Sequence, residues 1–344
     1  MAAPFKKTTT MFTPLQFRRL LAWARAFCMV ALCALSSVAS AQAPAASWPS
    51  KPVTIVVPFT PGGGTDTLSR MLAQGLSSAL GQTVLSENKP GAGGSIGTKA
   101  VATSAPDGHT LLIGTSSTHG INPWVYPQLG YDVLKDFQPL GVLAITDYAL
   151  GVPPSSAARS VTDLVAMGKT QRQPYGSSGN GTTTHLAAVL LANMTGADFV
   201  HVPYKSSGPA LQDMMSGQIA FLFDNTSVLM PLAKAGRVRI LATSGSKRSS
   251  ATPDIPTVGE AGVAGFDVIG WWALYAPGNT PPAVVERLQR EVAKILEDAS
   301  FRQRIVEMGY IATPAMSPTA VRSFLKTEYE KFGSIVKAAG VKVD

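Results

Sequence analysis

Short apolar runs alternate with stretches where apolar residues return every third or fourth position, from Val53 almost to the C-terminus. Val53–Val57 is a β-branched run bounded by prolines and predicts a strand. Leu68, Met71, Leu72, Leu76, Ala79 and Leu80 follow at helical spacing, with Gly81 as the C-cap. Residues 83–85 read as a strand and residues 88–94 as a loop. Ser95 reads as the N-cap of a short helix, and residues 110–114 as the next strand. The alternation resumes mid-chain, with helices predicted over 185–194, 209–216 and 228–235. Strands are predicted there over 198–204, 219–223 and 238–243. Residues 283–337 are mostly helical in pattern, with a break near 309–318.

This order predicts an α/β fold with parallel sheets covered by helices on both faces. Two apolar runs, 140–152 and 266–276, each lead into proline, and they read as strands crossing between two lobes. The outer lobe then comprises residues 48–152 plus 267–344, and residues 153–266 form an inserted lobe. Two connections of this kind make a hinge.

Residues 1–41 have a different pattern. Lys6, Lys7, Arg18, Arg19 and Arg25 precede an apolar run from Ala26 to Val38, which ends in Ala39-Ser40-Ala41. That layout is a cleavable secretory signal, and the run is shorter than the roughly 20 residues of a membrane span. Both cysteines, Cys28 and Cys33, lie inside it, so the mature chain is expected to form no disulfide, thiolate metal site or cysteine nucleophile. The signal also carries much of the positive charge. Without it, 24 basic residues face 21 acidic ones. No dense basic stripe with interleaved aromatics occurs, which argues against nucleic acid as a partner.

The candidate chemistry sits in two glycine-rich turns, Pro61-Gly62-Gly63-Gly64-Thr65-Asp66 and Tyr175-Gly176-Ser177-Ser178-Gly179-Asn180-Gly181-Thr182-Thr183-Thr184-His185. Each opens a helical pattern. A helix start offers free N–H groups and partial positive charge, and glycine lets a ligand approach them. Two such starts facing one cleft would hold a small anion by backbone. Asp66 has two readings: a carboxylate stabilising its helix start, or a contact to a ligand ammonium, hydroxyl or bridging water. His185 likewise either supports its turn or touches ligand. Asp224, Ser116 and Ser117 follow strands, at the carboxyl ends where α/β sheets bind ligands. Trp271 and Trp272 read as hinge packing or as stacking platforms.

Other chemistries fit poorly. Gly97-Thr98-Lys99 has the wrong order for a phosphate-binding loop, and Thr67 stands where a dinucleotide fingerprint needs glycine. Asn180 breaks a serine-hydrolase elbow, and Ser244-Gly245-Ser246-Lys247 lacks companion motifs. The four histidines, His109, His119, His185 and His201, show no metal-ligand spacing, so neither metal nor cofactor is expected.

The motifs Trp48–Asp66, Asn88–Thr98, Tyr175–Leu186, Val202–Leu211, Phe223–Asn225, Ile255–Gly262 and Gly270–Pro277 together resemble the substrate-binding proteins of tripartite tricarboxylate transporters, the Bug family. Ser206 departs from the glycine usual there. The resemblance implies a type II periplasmic binding-protein fold, two Rossmann-like lobes joined by crossing strands. It also implies a non-enzymatic, monomeric, periplasmic receptor for a small carboxylate-type solute, delivering to membrane permease subunits. The ligand-binding residues implied by the resemblance are Phe59, Pro61, Gly62, Gly63, Asp66, Ser177, Ser178, Gly179, Gly181, Thr182, Thr183 and His185, to which the strand-end positions add Ser116, Ser117 and Asp224. Two other roles remain open at this point: a ligand-sensing component for a membrane kinase, or a secreted hydrolase using Ser178 and His185. The exported form is expected to begin at Gln42; intact-mass measurement on periplasmic protein tests this, and retention of residues 1–41 would refute it.

Overall fold

The structure, a computed structural model, describes residues 48–249 and 252–340. The signal-peptide expectation for residues 1–41 lies outside the described residues.

The first half opens with β1 (Val53–Val57), α1 (Gly64–Leu80), β2 (Val84–Asn88), α2 (Ser95–Ala102) and β3 (Thr110–Thr115). Four residues of β1 are buried, as a parallel strand covered on both faces requires. Helix α1 buries Leu68, Met71, Leu72 and Leu76 against this sheet. Each such side chain contributes about 1.5–3 kcal/mol. Gly81 ends α1 in the left-handed conformation, φ 65°, and its N–H bonds the Ser77 carbonyl. Ser95 corrects the expectation. It is the first residue of α2, whose N-cap is Gly94 at φ 91° with no side-chain cap. The Ser95 hydroxyl instead accepts from Asn122 Nδ2 at 3.0 Å, so it is not available to cap the helix.

After β3 come a wide helical turn, Ser116–Ile121, and a single helical turn, Asn122–Val125, then the long strand β4 (Phe137–Val152). The second half follows with α3 (Val161–Thr170), β5 (Gln173–Ser177), α4 (Thr183–Thr195), β6 (Phe199–Pro203), α5 (Ser207–Ser216), β7 (Phe221–Asn225), α6 (Thr226–Lys234) and β8 (Arg239–Thr243). The chain then returns through β9 (Ile269–Pro277), α7 (Pro282–Glu297), α8 (Ala299–Glu307), β10 (Ile311–Ala312) and α9 (Pro318–Ala339). The sequence pattern missed α3 and β5, although Ser160 and Asp163 form a capping box at the start of α3.

The strands join in the order β2-β1-β3-β9-β4-β7-β5-β6, with β8 and β10 also on β4. Strands β1, β2 and β3 are mutually parallel, as are β5, β6 and β7. Strand β9 runs antiparallel to both β3 and β4, and β4 runs antiparallel to β7 and β8. These pairings depart from the all-parallel expectation, because neither β4 nor β9 joins its neighbours through the crossover helix that a parallel pair requires. Strand β4 is the pivot. Its residues from Phe137 to Asp147 pair with β9, whereas Tyr148 is already opposite Asn225 of β7. On the way back, the Val268 N–H bonds Ser244 O, and the next residue, Ile269, lies opposite Asp147.

Helix α9 braces both halves from behind. Its Phe332, Ile335 and Val336 share one buried cluster with Ile121 and Val125 and with Leu186 and Leu191 of α4. The Trp124 indole donates to the Tyr329 carbonyl at 3.1 Å. Phe332 is fully buried and lies against Gly120. Phe332→Ala is expected to destabilise the protein by about 3–5 kcal/mol. Urea unfolding checks this, and a change below about 1 kcal/mol would mean that α9 is not a structural brace.

Candidate functional site

Strand β1 delivers the chain to the first glycine turn at its carboxyl end. Gly62 adopts φ 85°, a conformation that side chains resist. Its N–H donates to Asp66 Oδ2 at 3.0 Å, and Arg70 Nε donates to the same oxygen at 3.1 Å. Burial pushes the Asp66 carboxyl up, but the Gly62 amide, Arg70 and Asn88 outweigh it and hold it below the usual carboxylate value. Asp66 thus folds the turn back on its own helix. The N-cap of α1 is Gly63, with no side-chain hydrogen bond, so the first-turn amides of Gly64, Thr65 and Asp66 lack a capping side chain. Asn88 Nδ2 donates to the Phe59 carbonyl at 3.0 Å and ties β2 to the same turn.

The second turn is pinned more heavily. The Ser177 hydroxyl donates to Gly179 O and accepts from Gly179 N–H, both at 3.1 Å, and lies 2.6 Å from His201 Nε2. Ser178 N–H donates to Thr184 Oγ1 at 3.1 Å, and the Ser178 hydroxyl is 3.0 Å from the same atom. Thr182 caps α4 by accepting from His185 N–H, and its own hydroxyl donates to Gly179 O at 2.8 Å. Gly181 N–H donates to His185 Nδ1 at 3.1 Å. The His185 ring stacks on His201 with centroids 3.8 Å apart, and Tyr175 lies near-parallel beside both, 5.1 Å from His201 and 6.3 Å from His185. The Ser178 and His185 side chains therefore each bond within the turn, to Thr184 and Gly181.

The start of α4 meets the turn that follows β3. The Ser116 hydroxyl, just beyond β3, lies 3.3 Å from the hydroxyl of Thr183, the first residue of α4. Both residues are buried. Beside this contact is a cavity of about 120 Å³, lined by Phe59, Thr65, Thr115, Ser116, Ser117, Tyr148, Gly270, Trp271 and Trp272. None of these is charged. Larger hollows occur elsewhere, such as one of about 390 Å³ against α7, but no residue of either glycine turn lines it.

Among the predicted residues, Phe59, Ser116 and Ser117 line the cavity; Thr183 contacts Ser116, but neither it nor Ser177, Ser178, Gly179, Gly181, Thr182 or His185 is among the lining residues. Pro61, Gly62 and Gly63 are exposed at the rim of the first turn. Asp224 is buried at the end of β7, where Asn225 N–H donates to it at 2.7 Å. Burial pushes its carboxyl up to about 6, against the pull of the Asn225 amide and Ser207. Sequence reasoning missed Thr65, Tyr148 and Gly270. The available signal was the polar pair Asp147-Tyr148 interrupting an apolar run. Trp272 donates from Nε1 to Thr65 Oγ1 at 2.8 Å and packs on Tyr310 with centroids 4.5 Å apart. Trp271 is buried on the other face, against Phe324 of α9.

A family model described as the tripartite tricarboxylate transporter family receptor matches residues 68–341. Protein BugT of Bordetella pertussis is 33% identical over 308 residues, 88% of this chain and 94% of BugT. A Rhodopseudomonas palustris protein solved with adipate is 36% identical with a TM-score of 0.77, covering 86% of this chain and 99% of its own. MatC from Rhodopseudomonas palustris, solved with bound malate, is 30% identical with a TM-score of 0.72, covering 84% and 100%. The α/β architecture of two lobes expected from the sequence is the architecture of these relatives.

The site contains a testable acid sensitivity. Burial lowers His185 to about 3, with neighbouring His201 adding to the effect; His201 itself is lowered to about 4 and His119 to about 3. All three are neutral in the fold, whereas the unfolded chain takes up protons near pH 6.5. The unfolded state therefore binds more protons below that pH, and stability falls as pH drops from about 6.5 toward 4. Asp224, raised to about 6, and Asp147 and Glu328, also raised by burial, work in the opposite sense and offset part of this loss. Urea midpoints should decline between pH 6.5 and 5; a flat or rising profile over that window would show that these rings are not buried neutral.

Proposed function

Because this chain belongs to the tripartite tricarboxylate transporter receptor family, whose members are periplasmic solute-binding proteins, we propose that it captures a small organic acid between the two glycine turns and presents it to membrane permease subunits. The exported chain works in the periplasm as a monomer and performs no reaction on its ligand. Its lobes are residues 48–152 with 267–344, and residues 153–266. The change of partners along β4 between Asp147 and Tyr148 supports that division.

The observation that carries the reading is the Ser116–Thr183 contact, which brings the start of α4 against Ser116, a residue lining the uncharged cavity that Thr65 of α1 also lines. The amides of Gly64, Thr65 and Asp66, with no capping side chain, supply donors and partial positive charge on one side. On the other side, the loop amides of Ser178, Gly179 and Gly181 are engaged internally. The donors left there are those of Thr183 and Thr184, in the first turn of α4. Anion recognition by backbone needs no cationic side chain, which agrees with a cavity lined by hydroxyls and aromatic rings. Adipate and malate, bound by the two relatives, define the acid class to try first. Lobe closure follows from tighter binding in the closed form, where both helix starts reach the ligand.

Calorimetric titration with adipate, malate, citrate, glutamate and acetate tests this. At least one is expected to bind with one-to-one stoichiometry and to reduce the radius of gyration in X-ray scattering. Gly62→Val places a branched side chain at φ 85°, in open space but in strained backbone. It should weaken that ligand at least about tenfold while leaving the protein folded. Silence from every acid, or full affinity in Gly62→Val, would contradict the proposal.

A further inference from the structure

Two glycines outside the sequence-predicted contacts are glycines for the same reason. A Cβ on Gly64, the first residue of α1, would fall on the Tyr310 hydroxyl, 1.9 Å from it. A Cβ on Gly270 of β9 would fall 2.5 Å from the Tyr148 hydroxyl. In both places, bare backbone makes room for a phenol oxygen. The two phenols lie near enough to influence each other electrostatically. Tyr310 lies against the uncapped start of α1, and Tyr148 lines the cavity beside Ser116, the residue that touches Thr183.

Each phenol is held in place. Tyr148 occupies the point at which β4 passes from β9 to β7, and its N–H donates to Ser244 Oγ at 2.8 Å. Tyr310 packs on Trp272, which itself bonds Thr65. It is anchored by Gly309 on one side, which lies against Ser227 at the start of α6, and by β10 on the other. Burial pushes both hydroxyls above the usual tyrosine value, Tyr148 the more strongly, with Asp224 and Tyr310 adding to the rise. Both phenols are therefore protonated donors at neutral pH.

We propose that Tyr148 and Tyr310 are ligand-contacting residues whose hydroxyls donate to the oxygens of the bound acid, in the place where many anion sites put a cation. This deepens the proposed function and rests on it. The physical need is plain. An anion removed from water keeps its stability only if its oxygens remain hydrogen-bonded. The α1 amides point at the ligand from one side only, and the residues lining the cavity offer no Lys or Arg. Two rigid phenols supply neutral donors, each capable of a charge-assisted bond, without an added counter-charge to desolvate. Asp224, the nearby carboxyl, is turned to the Asn225 amide.

The test uses the full mature chain and whichever of adipate, malate, citrate, glutamate or acetate binds the wild type. Tyr148→Phe and Tyr310→Phe each keep the ring and its packing. Each is expected to raise Kd about tenfold or more, and the double variant about a hundredfold, the scale of a lost hydrogen bond to a charged group. Tyr329→Phe on α9 is the control and should stay within about twofold. The carbon-13 Cζ resonances of Tyr148 and Tyr310, assigned by their loss in the two variants, should shift when that acid saturates the wild type. A role confined to packing would move thermal midpoints and leave Kd and those resonances alone. Wild-type affinity in both phenylalanine variants would overturn the phenol assignment and leave the proposed function standing. A wild type that binds none of the acids would overturn both.

Discussion

The site depends on one uncapped helix start. An α-helix begins with amides that nothing inside it can satisfy, and most helices bring a side chain to meet them. Helix α4 does so with Thr182, and α3 with Ser160. Helix α1 has Gly63 in that position, which has no side chain to give. The Asp66 carboxylate, which would otherwise compete for the α1 amides, is engaged by the Gly62 amide and Arg70. The result is a local stability sacrificed at a fixed place, with donors preorganised for an anion. Preorganisation matters because association must already overcome lost motional freedom, and a loop ordered only on binding would add to that loss.

The remainder of the fold brings that helix start, through Thr65, to the cavity lined by Ser116, the residue that touches the start of α4. Strand β4 runs through both halves of the sheet, pairing with β9 up to Asp147 and with β7 from Tyr148. Its backbone is bonded on both sides of the switch. Thr226 Oγ1 donates to the Asp147 carbonyl at 3.2 Å, and Ser244 Oγ accepts from Tyr148 N–H. Helix α9 is buried against both halves.

Most of the elements were legible in the sequence, because a two-residue period and a 3.6-residue period are visible wherever one face is buried. The glycine turns were legible for a different reason: Gly62 must reach φ 85°, and only glycine does so freely. Less visible was how the turns are satisfied. The pairing of Gly181 N–H with His185 Nδ1, or of Ser177 with His201, depends on stacking across strands 24 residues apart for the latter pair. No local pattern encodes it. Ser95 shows the same limit, since its sequence position suits a cap but Asn122, 27 residues away, takes its hydroxyl. Tyr148 was hidden inside an apolar run, because an aromatic ring in a buried strand has the same periodicity whether its hydroxyl meets a neighbour or a ligand. Tyr310 lay in the stretch read only as a helical break.

The reading of glycines divides along the same line. Gly62 is glycine because of its own torsion angle, which a sequence motif can record. Gly64 and Gly270 have no such torsion, and the reason for each is a phenol from a distant segment. Conformational glycines mark turns, whereas contact glycines mark where something approaches closely. In this molecule Gly270 lines the uncharged cavity, and Gly64 stands next to Thr65, which lines it too. Under the proposed function, selectivity among acids would fall to Phe59, Trp272 and the hydroxyls of Thr65, Ser116 and Ser117, whose side chains would set the length and polarity of what fits.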